Sequence, residues 1–438
     1  MSTELLRRIA ARASTLDERL AGAVEADGTA PETLVDARLE AWRSIVAAGD
    51  AERFARRLRW DGIDPARARA LLGSVRWPSD APLPPWCETV AEVIAAARTG
   101  VGYDESAGND GTADAEPIPF APLLEPARRV ARARLHLAAG ERLALLSPAA
   151  RGALERTLLE RLHFVGARCL LAELEALRAG RADHTGVFGE LVGSLLARGL
   201  VPLFERYPVL ARLWAVAIDQ WVAAGAELLA RLDQDRACLG DVFRLPEPLR
   251  VESVSPALSD PHDGGRAVFI LGFAGGGAVV YKPRPLALEV AFARLVAWCA
   301  ERVAPHLRAP RVVDRGGYGW VERVEQLPCA DRADVERFYR RAGVLLALAH
   351  LLDATDLHWD NLIACGDQPM LVDLEALLHP LPPAVAAGGA AAEEAALARL
   401  RRSALSTNLL PCWSAVDERG RPYDNSGLGG SEGGRVPM

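Results

Sequence analysis

The sequence predicts an α+β protein, in which a mainly helical N-terminal region is followed by a region of short strands and helices. Two patterns indicate this class. Apolar residues recur at helical spacing through most of residues 3–232. From about Leu249 onward, short runs rich in Val, Ile and Leu are separated by turns that contain Gly, which is typical of strands and hairpins.

The helical spacing predicts eight helices in the first half, each with an apolar face that we expect to be buried. They cover residues 3–25, 32–58, 63–72, 88–98, 121–138, 148–179, 186–198 and 205–232. In the last of them, Trp214 and Trp221 share a face with Leu228 and Leu229, which predicts a core position for both indoles. Residues 99–119 are rich in Gly and acidic residues, so we expect a mobile loop there.

The second half predicts six strands and two long helices. The strands cover residues 268–271, 278–281, 311–313, 319–324, 362–363 and 370–372, and the helices cover 287–303 and 332–352. A hairpin turn at Ala274–Gly277 joins the first two strands. The patterns divide the chain into four regions: helical residues 1–115, helical residues 116–245, a mixed core at 246–380 and an incomplete C-terminal extension at 381–438.

Composition narrows the class of protein. Half of the 438 residues are hydrophobic and a quarter are charged, which fits a folded globular chain, and the net charge of −7 makes nucleic acid an unexpected partner. No uninterrupted apolar stretch is long enough to cross a bilayer, and the first residues lack the apolar core of a signal peptide. We therefore expect no transmembrane segment and a cytoplasmic location. The seven cysteines form no Cys-x-x-Cys pair, which favours reduced, buried thiols over a disulfide framework or a zinc site.

Lys282 is the only lysine among the 51 Lys and Arg residues. A chain that uses Arg wherever charge alone matters is expected to keep Lys where a compact point charge on a flexible stem is needed. Lys282 follows the apolar run 279–281 and precedes a polar turn, as does the kinase lysine that reaches nucleotide phosphates. A surface lysine retained by chance is the alternative. Glu289 on the following helix is a candidate acid to pair with Lys282, or else an ordinary surface residue.

The polar loop 356–361 and the acid at Asp373 complete a kinase-like order of elements. Asp356 precedes Asn361 by five residues, as the kinase Asp that accepts the substrate proton precedes the Asn that holds magnesium. Asp373 follows a buried strand, where kinases place a further magnesium ligand. With Lys282, these residues predict a kinase-like core that binds ATP and Mg2+, with Asn361 and Asp373 as the metal ligands.

The lysine strand is not preceded by a G-x-G-x-x-G loop, and residues 259–266 stand upstream of the strands instead. Gly264 and Gly265 are able to bend backbone N–H groups toward a phosphate. Asp260 and His262 are titratable groups at a spacing suited to acid–base work. A solvated turn is the alternative, and the residues by themselves leave both interpretations open.

Taken together, these segments resemble the dehydratase region of the class II lanthipeptide synthetases (the LanM type). The resemblance covers about residues 115–430, and five central blocks stand in the family's order. They are Asp260-Pro261-His262-x-Gly264-Gly265-Arg266, Tyr281-Lys282-Pro283-Arg284, Gly319-Trp320-Val321-Glu322, Thr355-Asp356-Leu357-His358-x-x-Asn361-Leu362-Ile363 and Pro369-x-Leu371-Val372-Asp373-Leu374-Glu375. The family implies a core like that of a protein or lipid kinase.

The resemblance implies an enzyme of lanthipeptide biosynthesis whose partner is a ribosomal precursor peptide, made of a leader and a Ser/Thr-rich core. Ser or Thr is phosphorylated with ATP, and elimination of the phosphate leaves dehydroalanine or dehydrobutyrine. The implied site residues are Lys282 for the nucleotide, Asp356 for the peptide hydroxyl, Asn361 and Asp373 for magnesium, Asp260 and His262 for elimination, and His358 and Glu375 at further motif positions of the catalytic and cofactor-binding sites.

The sequence also departs from the family. Its members are usually much longer and end in a zinc cyclase domain, whereas this sequence contains no Cys-His-Gly motif and ends at Met438. The family's elimination step uses an Arg and a Thr downstream of the core. The expectation is therefore a synthetase truncated before the dehydratase is complete, without zinc, which phosphorylates its peptide but does not complete elimination.

Two other functions remain open. A small-molecule kinase of the aminoglycoside or choline type shares the Lys, Asp, Asn and Asp order but has a His before the catalytic Asp, whereas His358 follows Asp356 here. An inactive, pseudokinase-like peptide-binding fragment is the other alternative. It predicts the loss of a nucleotide or metal residue, and none of the four has been lost.

Overall fold

The computed structural model describes residues 2–27, 30–99, 116–181, 183–256, 263–303, 305–378, 391–411, 415–416 and 422–429. The chain forms two compact units, one within residues 1–234 and 261–266 and the other within 235–260 and 267–438. Helices dominate unit 1, and unit 2 combines a sheet with helices, so the predicted α+β class is confirmed. The finer division into four regions stays a prediction.

Unit 1 is built from helices that pack through apolar faces. They are α1 (Thr3–Arg12), α2 (Leu16–Leu20), α3 (Glu32–Ala47), α4 (Ala51–Trp60), α5 (Pro65–Leu72), α6 (Trp86–Arg98), α7 (Ala121–Ala139), α8 (Pro148–Arg178), α9 (Val187–Ala197), α10 (Val201–Arg206) and the first part of α11 (Pro208–Phe243). A short antiparallel pair, β1 (Glu25–Ala26) and β2 (Val75–Arg76), lies among the first of these helices.

Two of the predicted helices are split in the structure, each by a local capping signal. The predicted helix 3–25 ends at Arg12, and Thr15 starts α2 with a capping box, in which its hydroxyl accepts from Glu18 N. The predicted helix 32–58 is interrupted where Ala48 adopts a left-handed conformation and Asp50 caps α4. The expected mobile loop at 99–119 falls mostly on residues 100–115, which lie outside the described residues.

The predicted core position of the two indoles in α11 is confirmed, because Trp214 and Trp221 are buried with Leu228 and Leu229. Trp214 Nε1 donates to Leu162 O at 3.0 Å. Among the described helices, α11 is long and apolar enough by length and composition to cross a membrane, and 44% of its most apolar window is buried inside the protein. This buried face accounts for the apolar composition of α11.

Unit 2 contains a five-stranded antiparallel sheet with the strand order β3-β4-β5-β7-β6. The strands are β3 (Val251–Pro256), β4 (Phe269–Phe273), β5 (Ala278–Lys282), β6 (Val312–Asp314) and β7 (Gly319–Glu322). The hairpin turn predicted between β4 and β5 is present, and helix α12 (Ala287–Arg302) follows β5. Strand β3 was not predicted, because its buried positions Val251 and Val254 are separated by Glu252 and Ser253 and give no alternating pattern.

A second layer of unit 2 carries the polar loop. It consists of α13 (Arg332–Leu351), the hairpin of β8 (Leu362–Cys365) and β9 (Gln368–Leu371), α14 (Ala391–Arg401) and the short pair β10 (Ala415–Val416) and β11 (Pro422–Tyr423). Phe292 and Val296 of α12 belong to one buried apolar cluster with Leu345 of α13, Leu357 of the polar loop and Leu371 of β9. This cluster fixes the start of the polar loop against two helices.

A buried carboxylate anchors the sheet of unit 2. Asp235 accepts hydrogen bonds from Tyr318 Oη and Trp320 Nε1, each at 2.8 Å, and its other oxygen lies 2.8 Å from Arg315 Nε. The Trp320 ring packs against the Tyr281 ring, with centroids 5.0 Å apart. Since Tyr281 precedes Lys282, this packing fixes the end of β5.

The six described cysteines form no disulfide, and Cys412 lies outside the described residues. Cys87 and Cys299 are buried, as expected from the sequence, whereas the other four described cysteines are only half-buried. Burial raises the pKa of Cys87 to about 12, which keeps this thiol protonated at neutral pH.

Asp367, in the turn between β8 and β9, yields a prediction about stability. Its carboxylate lies 2.7 Å from Arg341 Nη1 and 2.8 Å from Arg337 Nε, and hydrogen bonds from Arg341 and Arg337 lower the pKa of Asp367 below its ordinary value of 3.8. A lowered folded-state pKa contributes stability that is present above the unfolded-state pKa and is lost as the pH falls through the folded-state pKa. We expect Asp367→Asn to lower the free energy of unfolding by about 1–2 kcal/mol at pH 7.

The difference in Tm between wild type and Asp367→Asn is expected to shrink as the pH is lowered below 3.8. Thermal unfolding followed by circular dichroism across pH 7 to acid measures it. Glu336→Gln is the control, since this exposed carboxylate of α13 forms only long ion pairs, at 3.5 and 4.0 Å. A pH-independent difference for Asp367→Asn would show that its charge is not the source of the stability.

Candidate functional site

Lys282 ends β5 with its side chain buried, as the residue is only 5% exposed. Its Nζ donates to Val372 O at 2.9 Å and lies 3.4 Å from Asp373 Oδ1 and 3.9 Å from Glu289 Oε1. The lone lysine is therefore enclosed by a backbone carbonyl and two carboxylates, and the interpretation of a surface lysine left by chance does not hold.

The neighbouring strand makes room for this arrangement. Lys282 is paired in register with Gly319 of β7. A Cβ at Gly319 would lie 2.4 Å from Leu286 Cδ1 and 2.5 Å from Val313 O, so only glycine fits there. Leu286 is fully buried and packs against this strand. It also caps the start of α12, whose first turn carries Glu289.

Arg284 is a second cation of the site, and its role was not predicted from the sequence. Its Nη2 lies 2.9 Å from Asp373 Oδ1 and 2.8 Å from Glu289 Oε1, and its Nε lies 3.4 Å from Glu375 Oε2. Arg284 therefore touches each of the acids around Lys282 and brings the start of α12 together with the segment after β9. We call Lys282, Arg284, Glu289, Asp373 and Glu375 the ion cluster.

Glu289 is the most deeply buried acid of the ion cluster, at 4% exposure. Neither of its oxygens accepts a hydrogen bond from the described residues, although Arg284 Nη2 lies within ion-pair distance of Oε1. A buried carboxylate without hydrogen bonds is costly. The nearby charges of Arg284 and Lys282 offset that cost, so Glu289 has the position expected of the acid that pairs with the lysine.

The polar loop is held to the ion cluster through the backbone. Val372 N donates to Asn361 O at 3.1 Å, which places Asn361 beside the residue that precedes Asp373. Within the loop, Asn361 Nδ2 donates to Asp356 O at 2.8 Å. His358 Nε2 lies 3.8 Å from Asp356 Oδ1, and the side chain of Asp356 is 60% exposed. The loop therefore has a fixed backbone and presents its first carboxylate to solvent.

The oxygen donors present fit a magnesium ion better than a metal held by a protein cage. No group of three or more His, Cys, Asp or Glu residues that could hold a metal occurs in the described part of the chain. Magnesium bound to phosphates needs only one or two carboxylates. The ion cluster has three carboxylates for two cations, the side chain of Asp373 is 35% exposed, and Asn361 Oδ1 accepts no hydrogen bond from the described residues.

The structure describes only part of the upstream block, residues 259–266. Asp260 and His262 lie outside the described residues. Gly264 and Gly265 belong to unit 1 and both have positive φ, 69° and 78°. A Cβ at Gly265 would lie 2.7 Å from Arg161 Nη1 and 2.9 Å from Gln220 Cβ. The positive φ angles and the close neighbours explain why glycine stands at these two positions. A role of Gly264 and Gly265 in cofactor binding stays a prediction.

Residues 407–409 and 425–429, here called the C-terminal segment, contact the polar loop. Sequence reasoning missed this contact because the segment has no regular pattern. Leu357 N donates to Thr407 O at 3.0 Å, and Trp359 N donates to Asn425 O at 3.2 Å. His358 forms an isolated antiparallel bridge with Ser426, which is fully buried. The polar loop is thus supported by backbone partners on both of its sides, Val372 on one and the C-terminal segment on the other.

Residues 207–438, more than half of the chain, match the sequence profile of a family described as a domain of unknown function (DUF4135). The chain belongs to the DUF4135 family. Every residue that the sequence predicted for the site lies within this DUF4135 region. The ion cluster and the polar loop of this chain therefore lie inside the region that matches the family.

The chain is also similar to a curated protein that is named for a biosynthetic role. The chain is 23% identical over 216 residues to the lacticin 481/lactococcin biosynthesis protein LcnDR2 of Lactococcus lactis subsp. lactis. The match covers 47% of this chain and 23% of the relative, so the matched part spans about a quarter of that protein's length. The match confirms the resemblance to class II lanthipeptide synthetases.

Gly427 allows the support of the polar loop to be tested. A Cβ there would lie 2.6 Å from Leu357 O and 2.8 Å from Leu409 Cδ1, so we expect Gly427→Ala to push the C-terminal segment off the loop. The expected result is faster hydrogen exchange of the Leu357 and Trp359 amides and a loss of about 1–3 kcal/mol in stability. Hydrogen-exchange mass spectrometry of the folded chain measures the exchange.

Gly343→Ala in α13 is the matched control for this substitution. A Cβ at Gly343 meets no atom within 4 Å and the backbone there is helical, so we expect unchanged protection of the loop. Unchanged exchange at Leu357 and Trp359 in Gly427→Ala would show that the C-terminal segment does not hold the polar loop.

Proposed function

We propose that this chain acts in lanthipeptide biosynthesis as the phosphorylating part of a class II dehydratase. The observation that supports the proposal best is the ion cluster around the lone lysine, joined through Val372 and Asn361 to the loop that carries Asp356. The order strand, helix, two strands, long helix, loop and hairpin is the order of a kinase-like core. The match to a lacticin 481 biosynthesis protein favours a peptide substrate over a small molecule.

In this proposal the ion cluster forms the nucleotide end of the site. Lys282 contacts the phosphates of ATP, and Glu289, itself paired with Arg284, holds the lysine in place. Asn361 and Asp373 would hold Mg2+. The bound magnesium would supply positive charge against the phosphate oxygens. Glu375 is exposed next to Arg284 and is a further candidate ligand on this side.

The exposed carboxylate of Asp356 forms the peptide end. It accepts the proton of the Ser or Thr hydroxyl while the hydroxyl oxygen bonds to the γ-phosphorus and the bond to the leaving ADP oxygen breaks. His358, 3.8 Å from Asp356 Oδ1, positions that carboxylate. Because Asp356 is 60% exposed, a peptide segment in extended form has access to it.

In a class II dehydratase, phosphorylation is followed by a second step, the elimination of the phosphate. A base removes the α-proton of the phosphorylated residue, the Cβ–O bond breaks, and inorganic phosphate leaves with a Cα=Cβ double bond formed. Asp260 and His262 are the candidates for this proton transfer. We further propose that the reaction takes place in the cytoplasm, where a ribosomally made precursor peptide is released.

The phosphorylation half is tested with the lacticin 481 precursor peptide, ATP and MgCl2, followed by mass spectrometry. We expect phosphate on Ser or Thr with the wild-type chain and a rate lower by about a hundredfold or more in Asp356→Asn, because the proton acceptor is lost. Lys282→Arg is expected to lose activity as well, since a planar fork does not replace a point charge in an enclosed site.

Asp353→Asn is the matched control, three residues before the polar loop. Asp353 has a positive φ of 48°, which Asn tolerates well, so wild-type activity is expected. Thermal shift with Mg·ADP tests nucleotide binding without any peptide. Phosphorylation by Asp356→Asn at the wild-type rate would remove its proposed role, and a chain that neither binds Mg·ADP nor modifies the peptide would overturn the proposed function.

A further inference from the structure

Unit 1 contains a cleft of about 560 Å3 whose lining includes six arginines. It lies among α1, α2, α3 and β2. The arginines are Arg7, Arg8, Arg12, Arg19, Arg38 and Arg76, whereas the acids in the lining are Glu4 and Asp27. In a chain with a net charge of −7, this is a local reversal of sign.

Only two of the six arginines are neutralised by a carboxylate. Arg8 pairs with Glu205 and Arg76 pairs with Glu25, each at 2.5 Å. Arg7, Arg12, Arg19 and Arg38 form no ion pair with a carboxylate of the described residues. Their partners are backbone carbonyls and, for Arg19, one hydroxyl group. These four arginines outnumber Glu4 and Asp27, the two acids of the lining, so the cleft keeps an excess of positive charge.

Two of these cations are close together. Arg19 Nη1 and Arg38 Nη1 both point at Gly73 O, at 3.2 and 3.4 Å, just after the end of α5. Burial, and then the charge of Arg38, lowers the pKa of Arg19. Hydrogen bonds to the last carbonyls of α5 account for the position of Nη1 in each of the two guanidiniums. They do not explain why two like charges are held together without an acid.

Several N–H groups of the cleft arginines have no acceptor in the described structure and are available to a ligand. A guanidinium has five N–H groups in a fixed fork. Arg38 and Arg12 bond only through Nη1 and Arg7 only through Nη2, so each retains N–H groups without a partner in the described structure. Arg7 Nε is buried and has no hydrogen-bond partner. Unbonded edges of this kind suit two-point contact with carboxylates.

The extent of the cleft favours a peptide over a single small anion. The unpaired cations come from three different helices, so several separate anionic groups are needed to match them. Ala11, Leu34, Trp77 and Pro208 add apolar walls between the arginines. An acidic peptide that also carries apolar side chains matches both features, whereas inorganic phosphate matches only one cation pair at a time.

We propose that this cleft binds an acidic segment of a peptide, with Arg7, Arg12 and Arg38 on its carboxylates. The further assignment of that segment to the leader of the precursor peptide rests on the proposed function. The Ser/Thr-rich core offers neutral hydroxyl groups, which do not match guanidiniums that lack a carboxylate partner. The recognised acidic part is therefore expected outside the core.

The test uses the full chain without ATP or magnesium, so it is independent of phosphorylation. The probe is a fluorescein-labelled synthetic peptide in which Glu alternates with Leu and Ser, compared with the same peptide in which Gln replaces Glu. We expect fluorescence anisotropy to show tighter binding of the Glu peptide, with an affinity that falls as salt is added. The double variant Arg12→Gln, Arg38→Gln is expected to weaken binding by about tenfold or more.

Arg53→Gln is the matched control, because Arg53 on α4 is 71% exposed and lies outside the cleft. Thermal unfolding of each variant separates lost binding from lost folding. Equal affinity for the Glu and Gln peptides, or unchanged binding in a folded double variant, would overturn the proposal. Displacement of the peptide by millimolar phosphate, or tighter binding of a single-stranded oligonucleotide, would also count against it. Binding without phosphorylation would leave the cleft supported and the proposed function in question.

Discussion

The ion cluster is the constraint on which the candidate site depends. Glu289 is almost fully buried without a hydrogen bond, and a carboxylate in that position is tolerated only while Arg284 and Lys282 remain beside it. Those two cations also hold Asp373, so the end of β5, the start of α12 and the segment after β9 are stabilised together. Displacing the end of β5 or the start of α12 would separate buried Glu289 from its cations, which couples the geometry of the ion cluster to the packing of unit 2.

In the polar loop, by contrast, the backbone is fixed by hydrogen bonds and the carboxylate of Asp356 is exposed. Val372 N binds the loop at Asn361, and Thr407 and Asn425 bind it at Leu357 and Trp359. None of these bonds uses the carboxylate of Asp356. A carboxylate on a rigid backbone keeps its position without being neutralised by the protein, which is what proton transfer from a substrate hydroxyl requires.

Much of unit 2 was predictable from the sequence, because its signals are local. The apolar runs of β4 and β5, the glycine turn between them and the spacing of Asp356 and Asn361 each need only neighbouring residues to be recognised. Arg284 was not predictable as a member of the site, since its role depends on Glu289 and Glu375 coming within reach of one guanidinium. The same holds for Ser426, whose segment has no apolar periodicity and is placed by backbone bonds to a loop some seventy residues earlier.

The nearly complete replacement of lysine by arginine separates two uses of positive charge in this chain. At the cleft of unit 1, the useful property is a fork with several N–H groups, some on helix carbonyls and others open to a ligand, and every cation there is an arginine. At the end of β5 the cation is enclosed by a carbonyl and two carboxylates, and Arg284 already occupies the adjacent space. A second planar guanidinium needs more room and more acceptors than that site offers, whereas an ammonium group on a thin stem fits. The retention of lysine at one position therefore follows from the geometry of that position.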